Sequence, residues 1–159
     1  VPDQPPPVPF AQRFFEDYPV GEVAEFGDHL VTEAEIIGFA SRYDPQPFHI
    51  DPQAAAGSIY GGLIASGWMT GACAMRMLVD HYLSPQSSLG SPGIDEMRWL
   101  RPVRPGDRLR MRVTVLDAQR SRSKPDRGIV RFLQEVLDQQ GCTVMTLKGM
   151  GMYKARGTG

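Results

Sequence analysis

The stretch SGWMTGACAMRMLVDHY, residues 66–82, constrains the fold of this chain more than any other. It is the longest apolar run, and Gly67, Gly71, Ala72 and Ala74 suit a helix that strands can approach closely. Its glycines, Arg76 and Asp80 keep it from being the roughly 18 apolar residues of a membrane span. A helix buried on most of its surface is therefore expected here. After it the period changes. In RLRMRVTV, Leu109, Met111, Val113 and Val115 alternate with Arg108, Arg110, Arg112 and Thr114, the pattern of a half-buried strand. GIVRFLQEVLDQQG and CTVMTLKGMGMYKA read as two further strands, with KPDRG and Gln139-Gln140-Gly141 as the turns. One long helix and an antiparallel meander can bury their apolar faces only on each other. The expected class is α+β, a sheet folded around a central helix.

Upstream, GEVAEFGDHLVT offers a short strand and then a helix start. In T-E-A-E the Thr32 hydroxyl can cap the Glu35 amide while the Glu35 carboxylate reaches back. Ile36, Phe39, Ala40 and Tyr43 then share one helical face. Pro45 disfavours helical geometry at Asp44 and should end the helix there. Asp51-Pro52 marks a second, short helix, with Asp as N-cap and Pro at the first helical position. Residues 1–10, VPDQPPPVPF, carry five prolines and read as an extended arm. The expected organisation is a proline-rich arm over 1–17 and one domain over 18–156.

The totals exclude several classes. With 159 residues, 42% apolar and 22% charged, the chain can build one sizeable core. A formal net charge of −1 gives no bulk attraction to nucleic acid or to an anionic membrane. Eleven of the seventeen Lys and Arg nevertheless lie between Arg98 and Arg131. For Arg108, Arg110 and Arg112 a solvated strand face is the simpler reading; a basic lip for phosphates is the functional one. Cys73 and Cys142 lie in no CxxC or Cys/His spacing, so neither a disulfide framework nor a metal site is expected. The N-terminus is proline-rich rather than basic then apolar, and the cysteine usage suits a reducing compartment, so the expectation is a cytoplasmic protein.

Residues 43–51, YDPQPFHID, are the candidate stretch for chemistry, although an isolated histidine is more often structural or solvated. Asp44 and His49 stand five positions apart, with Pro45 and Pro47 stiffening the segment between them. Histidine titrates near neutral pH, so a fixed Asp–His pair can activate water. Plainer readings compete: Asp44 could close an Asx turn, Gly67 could serve helix packing, and Asp51 is explained as an N-cap. His29 reads as a polar surface residue, and His81 as a cation at a helix C-terminus.

DPQPFHIDPQAAAGSIYGGLIASG resembles the signature of MaoC-like dehydratases and (R)-specific enoyl-CoA hydratases, in which D-x-N-P-[aliphatic]-H-x-D is followed downstream by IAHG. RWLRPVRPGDRL is similar to the family's later P-V-x-x-G-D segment, so the likeness runs from Tyr18 to Lys154. The resemblance implies the hot-dog fold, an antiparallel sheet around one long helix. It implies Asp44 and His49 as the catalytic dyad and Gly67 as the glycine whose N–H polarises a thioester carbonyl. The expected activity is hydration of a trans-2-enoyl thioester to an (R)-3-hydroxyacyl thioester, or the reverse. No cofactor is expected beyond coenzyme A as part of the substrate. The expected partners are an acyl-CoA or acyl carrier protein thioester and a second copy of the chain. Ser66, Tyr60 and Trp68 are expected to touch substrate, with Ser66 also capping the long helix. Two positions depart from the family pattern: Gln46 stands in place of Asn, and Ser66 in place of the His of IAHG. A hot-dog thioesterase and a non-catalytic acyl-thioester binder are the alternatives; the D-x-x-x-x-H spacing argues against the first and the intact dyad against the second.

Overall fold

The computed structural model describes residues 7–157. Five strands form one antiparallel sheet in the order β1-β3-β4-β5-β2. These are β1 (Val23–Leu30), β2 (Ile94–Trp99), β3 (Arg108–Arg120), β4 (Arg127–Leu137) and β5 (Thr143–Lys154). Four helices interrupt the strands: α1 (Glu33–Tyr43), α2 (Pro47–Ile50), α3 (Pro52–Ala56) and α4 (Gly67–His81). The alternation in β3 is realised as expected, with Leu109, Met111, Val113 and Val115 at most 1% exposed. β2 was not anticipated. Its residues IDEMRW follow no clean alternation because it is an edge strand bonded only to β5, and its Glu96 pairs with Arg98 and Lys148 at the surface.

α4 packs across β1 and β3. Met69, Thr70, Cys73, Ala74, Met77 and Leu78 are buried against them, while Trp68, Met75 and Val79 stay exposed on the opposite side. The single chain thus buries one face of this helix rather than most of its surface. The reason is geometric: one sheet covers one side of a helix, and the outer face stays largely exposed.

Other local expectations resolve in the same way. Thr32 Oγ accepts from the Glu35 amide at 3.1 Å, but the Glu35 carboxylate turns away to His29 instead of closing the capping box. Ile36 and Ala40 are fully buried, whereas Tyr43 is 63% exposed because α1 leaves the core in its last turn. Asp51 caps α3 as expected, accepting from the amides of Gln53 and Ala54. Residues 1–6 of the expected arm lie outside the described residues. The segment that follows lies on the domain: the Phe10 ring sits 4.7 Å from that of Tyr82, and buried Arg13 pairs with Glu22 and bonds the Val8 carbonyl.

Between Phe26 and His29 the β1–β3 register slips by one residue. The slip is a β-bulge at Gly27, whose φ of +86° favours glycine. A side chain there would also meet Met77 Sδ at 2.5 Å, so the bulge is pressed onto α4. In a regular strand Asp28 would share the inward face with Phe26. The extra residue sends Asp28 out to Arg108 and turns His29 inward.

Candidate active site

Three chain breaks set up the site. α1 stops at Tyr43, and Asp44 follows as its C-cap with φ −153° and ψ 64°. Pro47 opens α2 at its first turn, and this four-residue helix carries His49. Asp51 then caps α3. The prolines therefore do more than stiffen a loop. They end one helix and start the next, so that two side chains five residues apart face each other.

His49 is buried, and its Nδ1 lies 2.7 Å from the Ile64 carbonyl oxygen. A carbonyl only accepts, so Nδ1 carries a hydrogen, and Nε2 is the atom left for chemistry. That Nε2 is 3.3 Å from Asp44 Oδ2. Asp44 is itself held at both oxygens: Gln46 Nε2 donates to Oδ1 at 2.7 Å, and Ser66 Oγ donates to Oδ2 at 2.7 Å. The Gln46 bond, then the Ser66 bond, hold the Asp44 carboxyl below the usual carboxylate range against the opposing effect of burial, and the charge of His49 adds to them. The residue at the family's Asn position thus still reaches the aspartate.

Ser66 corrects one expectation. It is the N-cap residue of α4, but its hydroxyl makes no cap bond and goes to Asp44 instead. Gly67 is then the first residue of a fifteen-residue helix, where backbone N–H groups have no acceptor within the helix and the dipole is positive. Its lack of a side chain has a specific cause. A Cβ at 67 would run into the Trp99 indole, with Nε1 only 2.5 Å away, and that same Nε1 donates to the Gly67 carbonyl at 2.9 Å. Packing against Trp99 is by itself a sufficient reason for glycine here.

Asp44, His49, Tyr60, Gly67 and Trp68 all line one cleft of about 450 Å³, with Thr70, Trp99, Arg101 and Val144 among the other walls. Trp68 and Trp99 meet edge to face at 5.4 Å, both substantially exposed. Phe48 packs on Tyr60, whose carbonyl accepts from Arg104 at 2.6 Å. Trp99 and Arg101 were not singled out from the sequence. The available signal was RWLRP, an aromatic between arginines just ahead of the later glycine turn.

The basic strand face is paired rather than free. Arg108 pairs with Asp28, Arg110 with Glu25, and Arg112 with both Glu25 and Glu135. Arg101 is exposed and lines the cleft. No helix among the described residues is long and apolar enough to cross a membrane.

An antiparallel five-stranded sheet carrying one long helix, with a His–carboxylate pair at the start of that helix, defines a hot-dog domain. Residues 16–136 match the family model of the MaoC like domain, and the chain belongs to that family. A crystal structure of a MaoC-like dehydratase from Rhodospirillum rubrum superposes with a TM-score of 0.85 at 42% identity, over 91% of this chain and 99% of that one. The (R)-hydratase PhaJ1 of Pseudomonas aeruginosa superposes with a TM-score of 0.69 at 26% identity, over 89% and 84%. The uncharacterized protein YdeM of Bacillus subtilis is 28% identical over 125 residues, 79% of this chain and 87% of YdeM.

Proposed function

We propose that this chain is a hydratase or dehydratase acting on acyl thioesters, adding water to a trans-2-enoyl group or removing it from an (R)-3-hydroxyacyl group. One observation carries the reading: His49 Nε2 and Asp44 Oδ2 lie 3.3 Å apart at the cleft, with the other ring nitrogen committed to Ile64. The dehydratase and the (R)-hydratase among the structural neighbours support the same class of chemistry.

Water held between the two groups would give one proton to His49 Nε2 while its oxygen attacks C3. Asp44, kept ionised, accepts the second hydrogen of that water as a hydrogen bond and stabilises the imidazolium. The enolate oxygen forms at the Gly67 N–H, where the helix end favours negative charge. A donor of this kind is typically worth about 10²–10³ in rate. The imidazolium then returns its proton to C2, which balances the addition. Because one face supplies both the water and the proton, addition is syn. Trp68, Tyr60 and Trp99 would contact the acyl chain, and Arg101 suits a phosphate of the carrier. The apolar positions Trp68, Met75 and Val79 on the outer face of α4, with Ile94 on the edge strand, fit a second copy of the chain as partner.

Loss of enoyl absorbance with short and medium trans-2-enoyl-CoA tests this directly. Hydration to an (R)-product that collapses in Asp44→Asn and His49→Ala is expected. No hydration across the series, or thiol release instead, would overturn it.

A further inference from the structure

His29, Glu35 and Cys73 come from three elements, β1, α1 and α4, and meet at one point outside the cleft. His29 Nε2 lies 3.0 and 3.1 Å from the two Glu35 oxygens and 3.5 Å from Cys73 Sγ, and Sγ is 3.9 Å from Glu35 Oε1. All three potential ligand atoms fall within 4.8 Å of one another.

This is more convergence than an ion pair requires. Nε2 carries at most one hydrogen, which Glu35 spans with both oxygens, and the Cys73 thiol donates to Glu35 Oε1 while its sulfur also lies beside Nε2. A bulge in β1 brings His29 to this point. The extra residue at Gly27 is what turns His29 inward, and bulges commonly re-aim a side chain toward a functional position. Glu35 likewise forgoes its place in the capping box to face His29.

The triangle has the dimensions of a metal site. A tetrahedral zinc ion with nitrogen and oxygen ligands at about 2.0–2.1 Å and sulfur at about 2.3 Å separates its donors by roughly 3.3–3.6 Å. The separations here bracket that range. Imidazole, carboxylate and thiol together are a donor set for a borderline first-row cation, not for magnesium or calcium. Cys73 is buried while His29 and Glu35 keep partial access to solvent, which leaves a side for entry and for a water ligand.

We propose that His29 Nε2, a Glu35 carboxylate oxygen and the Cys73 sulfur bind one Zn²⁺ ion, with water as the fourth ligand. Binding displaces the Cys73 thiol proton to solvent and leaves the remaining imidazole hydrogen on Nδ1. The ion ties β1, α1 and α4 together. Glu35 and Asp44 lie nine residues apart at opposite ends of α1, about 14 Å along the helix, so the site braces the scaffold of the cleft without entering it.

The test is titration of the chelator-treated full chain with Zn²⁺, and with Co²⁺ as a spectroscopic probe. One ion per chain is expected, with a thiolate-to-cobalt charge-transfer band and a rise in melting temperature on adding Zn²⁺. The band and the stoichiometric site should vanish in Cys73→Ser and persist in Cys142→Ser and His49→Ala. Should Cys73→Ser fail to fold by circular dichroism, His29→Ala, at the partly exposed ligand, gives the same readout. No stoichiometric uptake by the wild type would overturn the proposal. So would a cobalt–thiolate band that survives Cys73→Ser or His29→Ala, or one lost in His49→Ala.

Discussion

Two His–carboxylate pairs lie among the described residues, and they are built differently. His49 and Asp44 lie five residues apart and are fixed locally, by helix ends and prolines. His29 and Glu35 lie six residues apart and are fixed by a bulge and by a helix packed from far along the chain. In the first pair every spare hydrogen bond goes to a neutral partner that holds the geometry: Ile64, Gln46 and Ser66. His49 Nε2 and one side of Asp44 are left to face a cleft. In the second pair the carboxylate takes the imidazole with both oxygens, and the third neighbour is a thiol. A His–carboxylate pair does not define a function by itself. What its remaining lone pairs and hydrogens meet decides between moving a proton and holding an ion.

The largest expected effect separates the two pairs. His49→Ala removes the proton shuttle and should lower enoyl-CoA hydration by about 10²–10⁴-fold, the usual range for a general base. Stability should fall as well, because the buried ring and its bond to the Ile64 carbonyl are lost, although Asp44 keeps Gln46 and Ser66. His29→Ala should act on the fold alone. It strips Glu35 of its partner and should cost about 1 kcal/mol in a denaturant melt, the ordinary net worth of such a bond. If His29→Ala abolished hydration while the melt stayed unchanged, the division between the pairs would be wrong.

Next is Gly67→Ala, which probes what surrounds the first pair. In a helix this change usually gains up to about 1 kcal/mol. Here the added methyl meets the Trp99 ring, and overpacking typically costs about 1–3 kcal/mol. The indole is held by its bond to the Gly67 carbonyl, so it yields only by breaking that bond. The net expectation is a loss of stability together with a loss of hydration, read by urea melts and by initial rates. A stabilised variant with full activity would show that Trp99 swings away freely.

A smaller effect probes the second pair. Thr32→Ala removes the side-chain cap on the Glu35 amide and should cost about 1 kcal/mol of stability, as loss of an N-cap typically does. Hydrogen exchange should rise first at the amides of Glu35 and Ile36. Equal protection there in variant and wild type would mean that the His29 contact alone holds this turn.

What could be read in the sequence was what neighbours in the chain decide. Thr32 as a cap, the stop of α1 at Asp44, Asp51 ahead of Pro52, and the alternation of β3 are all local, and each formed. The contact between Asp44 and His49 belongs here too, since their spacing is set by two helix ends. What could not be read depends on distant partners. Ser66 looked like a cap because Asp44, 22 residues away, is invisible as its competitor. Cys73 stands 44 residues from His29 and 38 from Glu35, so no spacing rule joins them. β2 lacked alternation because an edge strand need not choose a face, and the apolar outer face of α4 does not say whether its own chain covers it.

The smallest effect, Ser66→Ala, tests how the first pair is tuned rather than whether it exists. The Ser66 hydroxyl donates to Asp44 Oδ2 and favours the ionised carboxylate; removing it leaves Gln46 and the His49 charge to do so. The Asp44 pKa, depressed in the folded protein, should therefore rise toward the usual carboxylate value. A depressed carboxyl contributes stability above its unfolded pKa and loses it as pH falls through the folded one. With Ser66 gone that stability is smaller at neutral pH, and what remains is lost at a higher pH than in the wild type. Acid unfolding followed by circular dichroism should therefore begin at a higher pH in the variant than in the wild type. An acid transition that does not move would mean that Gln46 alone sets the charge on Asp44, and that Ser66 serves only to position it.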